Sequence, residues 1–413
     1  MTSGDDLLAG PYGRELCAAI AQEAAPGDVW VRPTDAEYLD ALGAVRPEQV
    51  AALEHGRFLS ELATVVDAAV YWQDPDDNRE LLARPEFVEA LRPIADAVAA
   101  HPATAWWDAP LDRSAQAHVR YWSGEWEPSL DPVDVRPALR RWREQRVEAE
   151  RRDAGNPQWR STGGQWWSDP AFSGVAWTTP SLPDLGPVRL YCTEDSMGWD
   201  RARVHPVVVD ERAWIFEVDG PGAWARLVEA YPLEVTYGMR GDWWKTTGRD
   251  GRWWLPDWSA VAEDYDAVHV TVTGYLAAAG WAIPTADGAT VLAGWGPAHT
   301  CWLRPDRLVR TDVVEQWHRV RSSEIDGAWT WRRVPSSGPN GAVELGFVDD
   351  DNSAISVDME VLLTEATRLN LNWTETDRFS DSDIAADPAL AHYTRLRPER
   401  GDFGLVAEVS GRC

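Results

Sequence analysis

Residues 241–258, GDWWKTTGRDGRWWLPDW, gather five tryptophans around the only lysine of the chain. Lys245, Arg249 and Arg252 offer cationic donors, and Thr246 and Thr247 add hydroxyls. Gly248 and Gly251 let the backbone turn and present its N–H groups, so the segment reads as a loop suited to a phosphate or carboxylate. The indoles of Trp243, Trp244, Trp253 and Trp254 can stack on a planar ring or a sugar face, or cover a cation. The competing reading is structural: tryptophan and arginine zip the segment to the body, because a buried indole is usually core. The segment is not a P-loop, since GxxxxGK[ST] is absent.

The segment leads through LPDWSAVAEDYD into DAVHVTVTGYL (266–276), which reads as a strand. Alternation puts Val268, Val270 and Val272 on one face and His269, Thr271 and Thr273 on the other. A polar row of that kind is costly to bury without partners, so it belongs at solvent or in a cleft. Asp266 precedes the strand, in position to fix the His269 tautomer and raise its pKa, as a general base requires. An ordinary sheet with one wet face stands against this. Taken together, the residues place His269, Asp266 and Lys245 as catalytic groups in one cleft. Trp243, Trp244, Thr246, Thr247, Arg249, Arg252, Trp253, Trp254, Thr271 and Thr273 would bind the ligand.

Other candidates carry less. His299 and Cys301 share one face of HTCWL, as a Cys–His pair would, but nothing nearby marks an activated thiolate. STGGQWWSDP (161–170) offers a second loop for the same cleft. Glu194 and Asp195 in CTEDSMGWD are adjacent, so in an extended chain they point apart. The acidic runs VDDDNS (348–353) and SDSD (380–383) lack the EF-hand spacing. Cys17, Cys192, Cys301 and Cys413 form no metal-ligand spacing, and no cofactor signature is present, so neither metal nor cofactor is expected.

Composition narrows the partners. With 67 acidic against 39 basic residues and a net charge of −28, the surface repels phosphate backbones, which argues against nucleic acid and anionic membranes. One lysine among so many arginines suggests a GC-rich bacterial coding sequence. Tryptophan, at 26 residues, is enriched beyond what that bias explains. The first residues lack a basic n-region and an apolar h-region, and no run approaches a membrane span, so a soluble cytoplasmic protein is expected.

The elements that must position these groups read as α+β: a helical N-terminal region, then a mostly antiparallel or mixed sheet with packed helices. The expected divisions are a helical domain at 1–155, a Trp-rich α+β core at 156–318, and a smaller α+β region at 319–413. Thr34 and Glu37 form a capping-box pattern. Pro93 should kink or break the helix begun near Pro85. VRLYC (188–192), HPVVV (205–209), AWIFEV (213–218), TVLAGW (290–295) and TCWLR (300–304) read as strands, with a tight hairpin joining the second and third. GAWTWRRV alternates, and later stretches suggest a hairpin, a helix at 360–370 and a last strand at 403–410. The Trp-Trp doublets at 106, 166, 243 and 253 keep no fixed period.

Two functions fit. The first is a cytoplasmic enzyme, transferase- or hydrolase-like, that holds a small anionic or heteroaromatic ligand in a Trp-lined cleft. The alternative is a non-catalytic interaction, regulatory or immunity-type protein that uses an exposed Trp-rich surface. Oligomerisation through the helical region is left open.

Overall fold

The computed structural model describes residues 2–334, apart from 28–29, 31–33, 72, 75–76, 123–134, 162–164, 171–174, 184, 195, 197, 312 and 322–328. Beyond 334 it describes 347–348, 354–355, 395–396 and 405–406. The chain divides into two compact units, Met1–Arg332 and Arg333–Cys413. The expected acidic turns, the 360–370 helix and Cys413 lie outside the described residues. In the second unit the described residues form two short antiparallel pairs, 347–348 with 354–355 and 395–396 with 405–406.

Seven helices open the first unit: α1 (Gly4–Ala9), α2 (Pro11–Ala24), α3 (Asp35–Ala44), α4 (Pro47–Ala51), α5 (His55–Asp67), α6 (Asp77–Leu82) and α7 (Pro85–Ala100). Their starts follow from local chemistry. Ser3 with Asp6 and Thr34 with Glu37 form complete capping boxes, and Pro11, Pro47 and Pro85 occupy first turns where no amide bond is lost. Of the expected kink or break at Pro93, the break does not occur: α7 runs on to Ala100. Pro93 is exposed, while Phe87, Leu91, Ile94, Ala95 and Val98 bury the opposite face, and that packing carries the helix past the missing amide.

The remaining elements mix strands and helices: β1 (Gln116–Trp122), α8 (Val135–Asp153), β2 (Ala176–Leu182), β3 (Gly186–Pro187), β4 (Arg201–Val209), β5 (Ile215–Val218), α9 (Pro221–Ala230), β6 (Pro232–Glu234), α10 (Thr236–Thr247), β7 (Trp254–Pro256), α11 (Trp258–Asp264), β8 (Ala267–Val270), α12 (Val272–Ala278), β9 (Ile283–Thr285), β10 (Gly288–Thr290), β11 (His299–Trp302), β12 (Leu308–Arg310), β13 (Glu315–Arg321) and β14 (Trp329–Arg333). The fold is α+β. Its main sheet has 10 strands in the order β14-β13-β4-β1-β2-β11-β8-β5, with β12 beside β4 and β3 beside β2. Only the β5–β8 pair is parallel among these pairings.

The structure corrects several sequence expectations. A strand, β1, sits mid-sheet although it falls in the stretch expected to be helical. Residues 188–190 form a 3-10 turn instead of a strand. No hairpin joins 205–209 to 213–218: β4 pairs with β1, β12 and β13, whereas β5 pairs with β8. The 291–295 stretch is not a strand, and β10 ends at Thr290.

The strand expected over 266–276 stops at Val270. Thr271 is the N-cap of α12, its hydroxyl accepting from the Gly274 amide at 2.9 Å. A Cβ at Gly274 would stand 2.1 Å from the Val218 carbonyl oxygen, so only glycine lets α12 start against the end of β5. Likewise the first seven residues of the expected 241–258 loop are helix. α10 runs through Thr247 and closes on Gly248, which is left-handed at φ 68° and returns its amide to the Trp244 carbonyl at 2.7 Å.

The core is continuous from the helical segment into the sheet. Among the described residues seven tryptophans are fully buried, and indoles of this size supply much of the apolar area that holds such a core together.

Candidate functional site

The residues singled out in the sequence are engaged in packing. Trp243 and Trp253 are fully buried and meet edge to face at 5.3 Å. Trp243 donates its indole N–H to the Trp166 carbonyl at 2.8 Å, and Trp254 donates to the Asp287 carbonyl at 2.8 Å. Trp244 meets Trp159 edge to face, and the Arg160 guanidinium sits over both rings. Arg249 stacks over Trp253 at 4.7 Å, and Arg252 stacks over Trp254 at 4.8 Å while pairing with Glu234 and Asp287. Thr246 donates to the Tyr71 carbonyl and Thr247 to the Trp243 carbonyl. Lys245 is half-buried in the last turn of α10, where a cation complements the helix dipole. Thr271 caps α12, and Thr273, inside that helix, shares a hydrogen bond with Thr2. Tryptophan, arginine and threonine side chains thus tie this segment to the body.

Asp266 and His269 are not partners. The Asp266 carboxylate accepts from the Trp214 amide at 2.8 Å and faces Arg304 and Arg307 at 3.3 and 3.4 Å. The polar neighbours of His269 come from adjacent strands. Its register partners are Glu217 on β5 and Thr300 on β11, and Thr300 is paired in turn with Thr178 on β2. His269 Nδ1 lies 2.8 Å from the Thr300 hydroxyl, and Nε2 lies 4.0 Å from Glu217. That hydroxyl–imidazole–carboxylate order resembles a hydrolytic triad. Yet Thr300 and His269 are buried, so substrate cannot reach the hydroxyl. Burial pushes the imidazole down to about 3 and the Glu217 carboxyl up to about 7, so near neutral pH the histidine is uncharged. This row lies inside the sheet, on β5, β8 and β11.

Cys301 is also inert. It shares a face of β11 with His299, as expected, but it is fully buried and its thiol is pushed well above the usual range, chiefly by burial.

A cleft of about 480 Å³ opens elsewhere, on the β13–β14 side of the sheet and against α5. Strand alternation builds its floor. Tyr121 on β1 follows Ala117 and Val119, and it pairs across with Ala202 on β4, which pairs with Trp317 on β13. These side chains form a small cluster with Leu190, Val204 and Trp331. Gly186 lies beneath the Trp317 ring, where a Cβ would stand 2.3 Å from the indole.

Trp199 lies parallel to Tyr121, with centroids 4.8 Å apart and planes at 6°. Trp331 leans on the same Tyr121 ring at 5.9 Å, and the Arg319 guanidinium sits 5.1 Å over Trp329. Ser60, Thr64 and Asp67 of α5, with Tyr191, Thr193 and Ser196, supply polar groups to the lining.

The segment that carries Trp199 is held from three sides. The Ser196 amide donates to Asp67 at 2.8 Å. Thr193 donates to the Arg189 carbonyl at 3.0 Å, and the Tyr121 hydroxyl donates to that same carbonyl. Glu194 points away from the cleft and accepts from Tyr71, from Tyr275 at 2.7 Å and from the Gly294 amide at 2.8 Å. Burial pushes the Glu194 carboxyl up to about 8 and the Tyr121 hydroxyl up to about 12, so both are protonated near neutral pH.

A cleft of this volume is in the range that encloses small ligands. Its aromatic planes can stack on a flat ring, Arg319 can meet a negative substituent, and the hydroxyls can orient polar edges. The described residues lining it include no histidine or cysteine. Its signal in the sequence was the alternation of GAWTWRRV, which places Trp329 and Trp331 on one face; their assembly with Tyr121 and Trp199 depends on sheet order. Comparison of the chain with protein-family models, with curated proteins and with solved structures gives no match.

Proposed function

We propose that the protein binds a small heteroaromatic ligand in the cleft lined by Tyr121, Trp199, Trp329 and Trp331, with a negatively charged substituent turned toward Arg319. The observation that carries this reading is the parallel Tyr121–Trp199 stack beside an open volume of about 480 Å³, with a guanidinium at its edge. The cleft supports recognition more than turnover. Its carboxylate, Asp67, is already engaged by the Ser196 amide, and its other polar groups are hydroxyls and one arginine.

At about 0.3 kcal/mol per non-hydrogen atom, a ligand of roughly twenty atoms gains about 6 kcal/mol, a Kd of some tens of micromolar. Millimolar ligand then stabilises the fold by about 2 kcal/mol, which a thermal-shift screen reads as a few degrees. The test is such a screen with nucleotides, sugar phosphates and aromatic acids on the wild type, Trp199→Ala and Lys245→Ala. A shift lost in Trp199→Ala and kept in Lys245→Ala supports the cleft. The reverse pattern, or no shift with any compound, counts against it.

A further inference from the structure

A second group of polar side chains gathers around Trp177 on β2, and none of them lines the cleft. The Arg189 guanidinium lies 5.5 Å over the Trp177 ring, with Trp295 at 5.0 Å and the His299 imidazole at 6.5 Å from it. Trp295 and His299 are almost wholly buried. Arg189 Nε, Trp295 Nε1 and His299 Nε2 are buried and have no hydrogen-bond partner among the described residues. The same holds for the hydroxyl of Thr179, which shares a face of β2 with Trp177. Orphaned buried polar atoms are rare in folded proteins and each is costly, so several around one indole call for something to satisfy them.

Two further features mark the place. Backbone geometry there is unusual: Gly294 has φ 84°, and Ala298, a non-glycine residue, has φ 57°. The His299 ring packs directly on Gly296, where a Cβ would stand 2.2 Å from it. A strained turn that presses an imidazole onto a glycine is the kind of backbone that function, more than stability, retains.

Charge points the same way. Arg146 is buried and bonds the neutral Gln165 and Met239, with Trp142 and Trp167 beside its guanidinium. The one carboxylate that acts on both Arg146 and Arg189 is Asp169. Glu194, which also feels Asp169, is held protonated. The buried Arg146 and the half-buried Arg189 thus share one acid, and a buried cation short of a partner is unfavourable.

We propose that the Trp177 indole marks an oxyanion site, in which a phosphate- or carboxylate-type group accepts from Arg189 Nε and Trp295 Nε1. The anion neutralises the excess guanidinium charge and satisfies the orphaned donors together. His299 is held uncharged by burial and by Arg189, and its ring donates to the Cys192 backbone through Nδ1, so Nε2 is an acceptor and takes no part in holding the anion. Arg189 connects the two places: its carbonyl braces Tyr121 and Thr193 of the cleft, while its guanidinium faces Trp177.

The test is thermal unfolding of the full chain in rising inorganic phosphate, and separately in acetate, against chloride at equal ionic strength. The site requires a saturable rise in Tm with at least one of the two probes. That rise should vanish in Arg189→Met and persist in Trp199→Ala, which separates this site from the cleft. Trp295→Phe removes one donor without changing charge and should raise the apparent Kd about two- to tenfold. It carries the same decision if Arg189→Met does not fold. A wild type that responds to both probes as it does to chloride overturns the proposal, the orphaned atoms then being served by buried water. So does a Trp295→Phe or folded Arg189→Met protein that keeps the full response.

Discussion

Replacing Glu194 by glutamine is expected to change how stability depends on pH. Glu194 joins the Trp199-bearing segment to Tyr71, Tyr275 and the Gly294 amide, and burial raises its pKa from 4.5 to about 8. The folded state therefore holds this proton more tightly than the unfolded chain. Below pH 4.5 both states are protonated and the contribution is fully present. Between 4.5 and about 8 only the unfolded chain ionises, and stability falls by about 1.4 kcal/mol per pH unit. From pH 5 to pH 8 the loss from this group is on the order of 4 kcal/mol. Glutamine matches the carboxyl in size and does not titrate, so Glu194→Gln should lack that slope. Urea unfolding followed by tryptophan fluorescence at pH 5, 6, 7 and 8 measures it for both proteins. The wild-type curve should fall relative to the variant as pH rises. Parallel curves would refute the reasoning, because they would mean that Glu194 ionises in the folded protein as easily as in the unfolded chain.

Two further outcomes follow from the packing. Gly186 has φ 79° and no room for a Cβ beneath Trp317, so Gly186→Ala should destabilise the first unit by about 2 kcal/mol or more, measured as a lower urea midpoint. Cys17, Cys192 and Cys301 are buried with thiols pushed upward by burial, so a thiol reagent at pH 8 should leave all three unlabelled by mass spectrometry until denaturant is added.

Much of the fold was legible where short-range chemistry decides it. The Thr34–Glu37 capping box, the helices over 135–153 and 221–230, and the strands at 205–209 and 300–302 follow from caps, periodicity and β-branched runs. The errors arose where two local readings compete. VHVTVTG alternates like a strand, but a threonine three residues before a glycine also caps a helix, and close packing of Gly274 on Val218 selects the cap. QAHVRYW alternates clearly, yet its place in the sheet depends on β2 and β4, far along the chain.

The site was harder for the same reason. Five tryptophans within eighteen residues suggested a pocket, whereas Trp243 and Trp253 turn toward each other in the core. The cleft uses indoles that lie apart in sequence, Trp199, Trp329 and Trp331. Strand order brings them to one Tyr121 ring, and local density of a residue type does not report that order.

The most direct measurement is a calorimetric titration, using the compound that gives the largest thermal shift, of the wild type, Trp199→Ala, Arg319→Ala and Lys245→Ala. Loss of one stacking indole is expected to cost about 1–3 kcal/mol, a five- to 150-fold rise in Kd for Trp199→Ala. Arg319→Ala should weaken anionic compounds more than their neutral analogues, and Lys245→Ala should bind as the wild type does. Unchanged binding in Trp199→Ala together with lost binding in Lys245→Ala would contradict the cleft and return the ligand to the segment around α10.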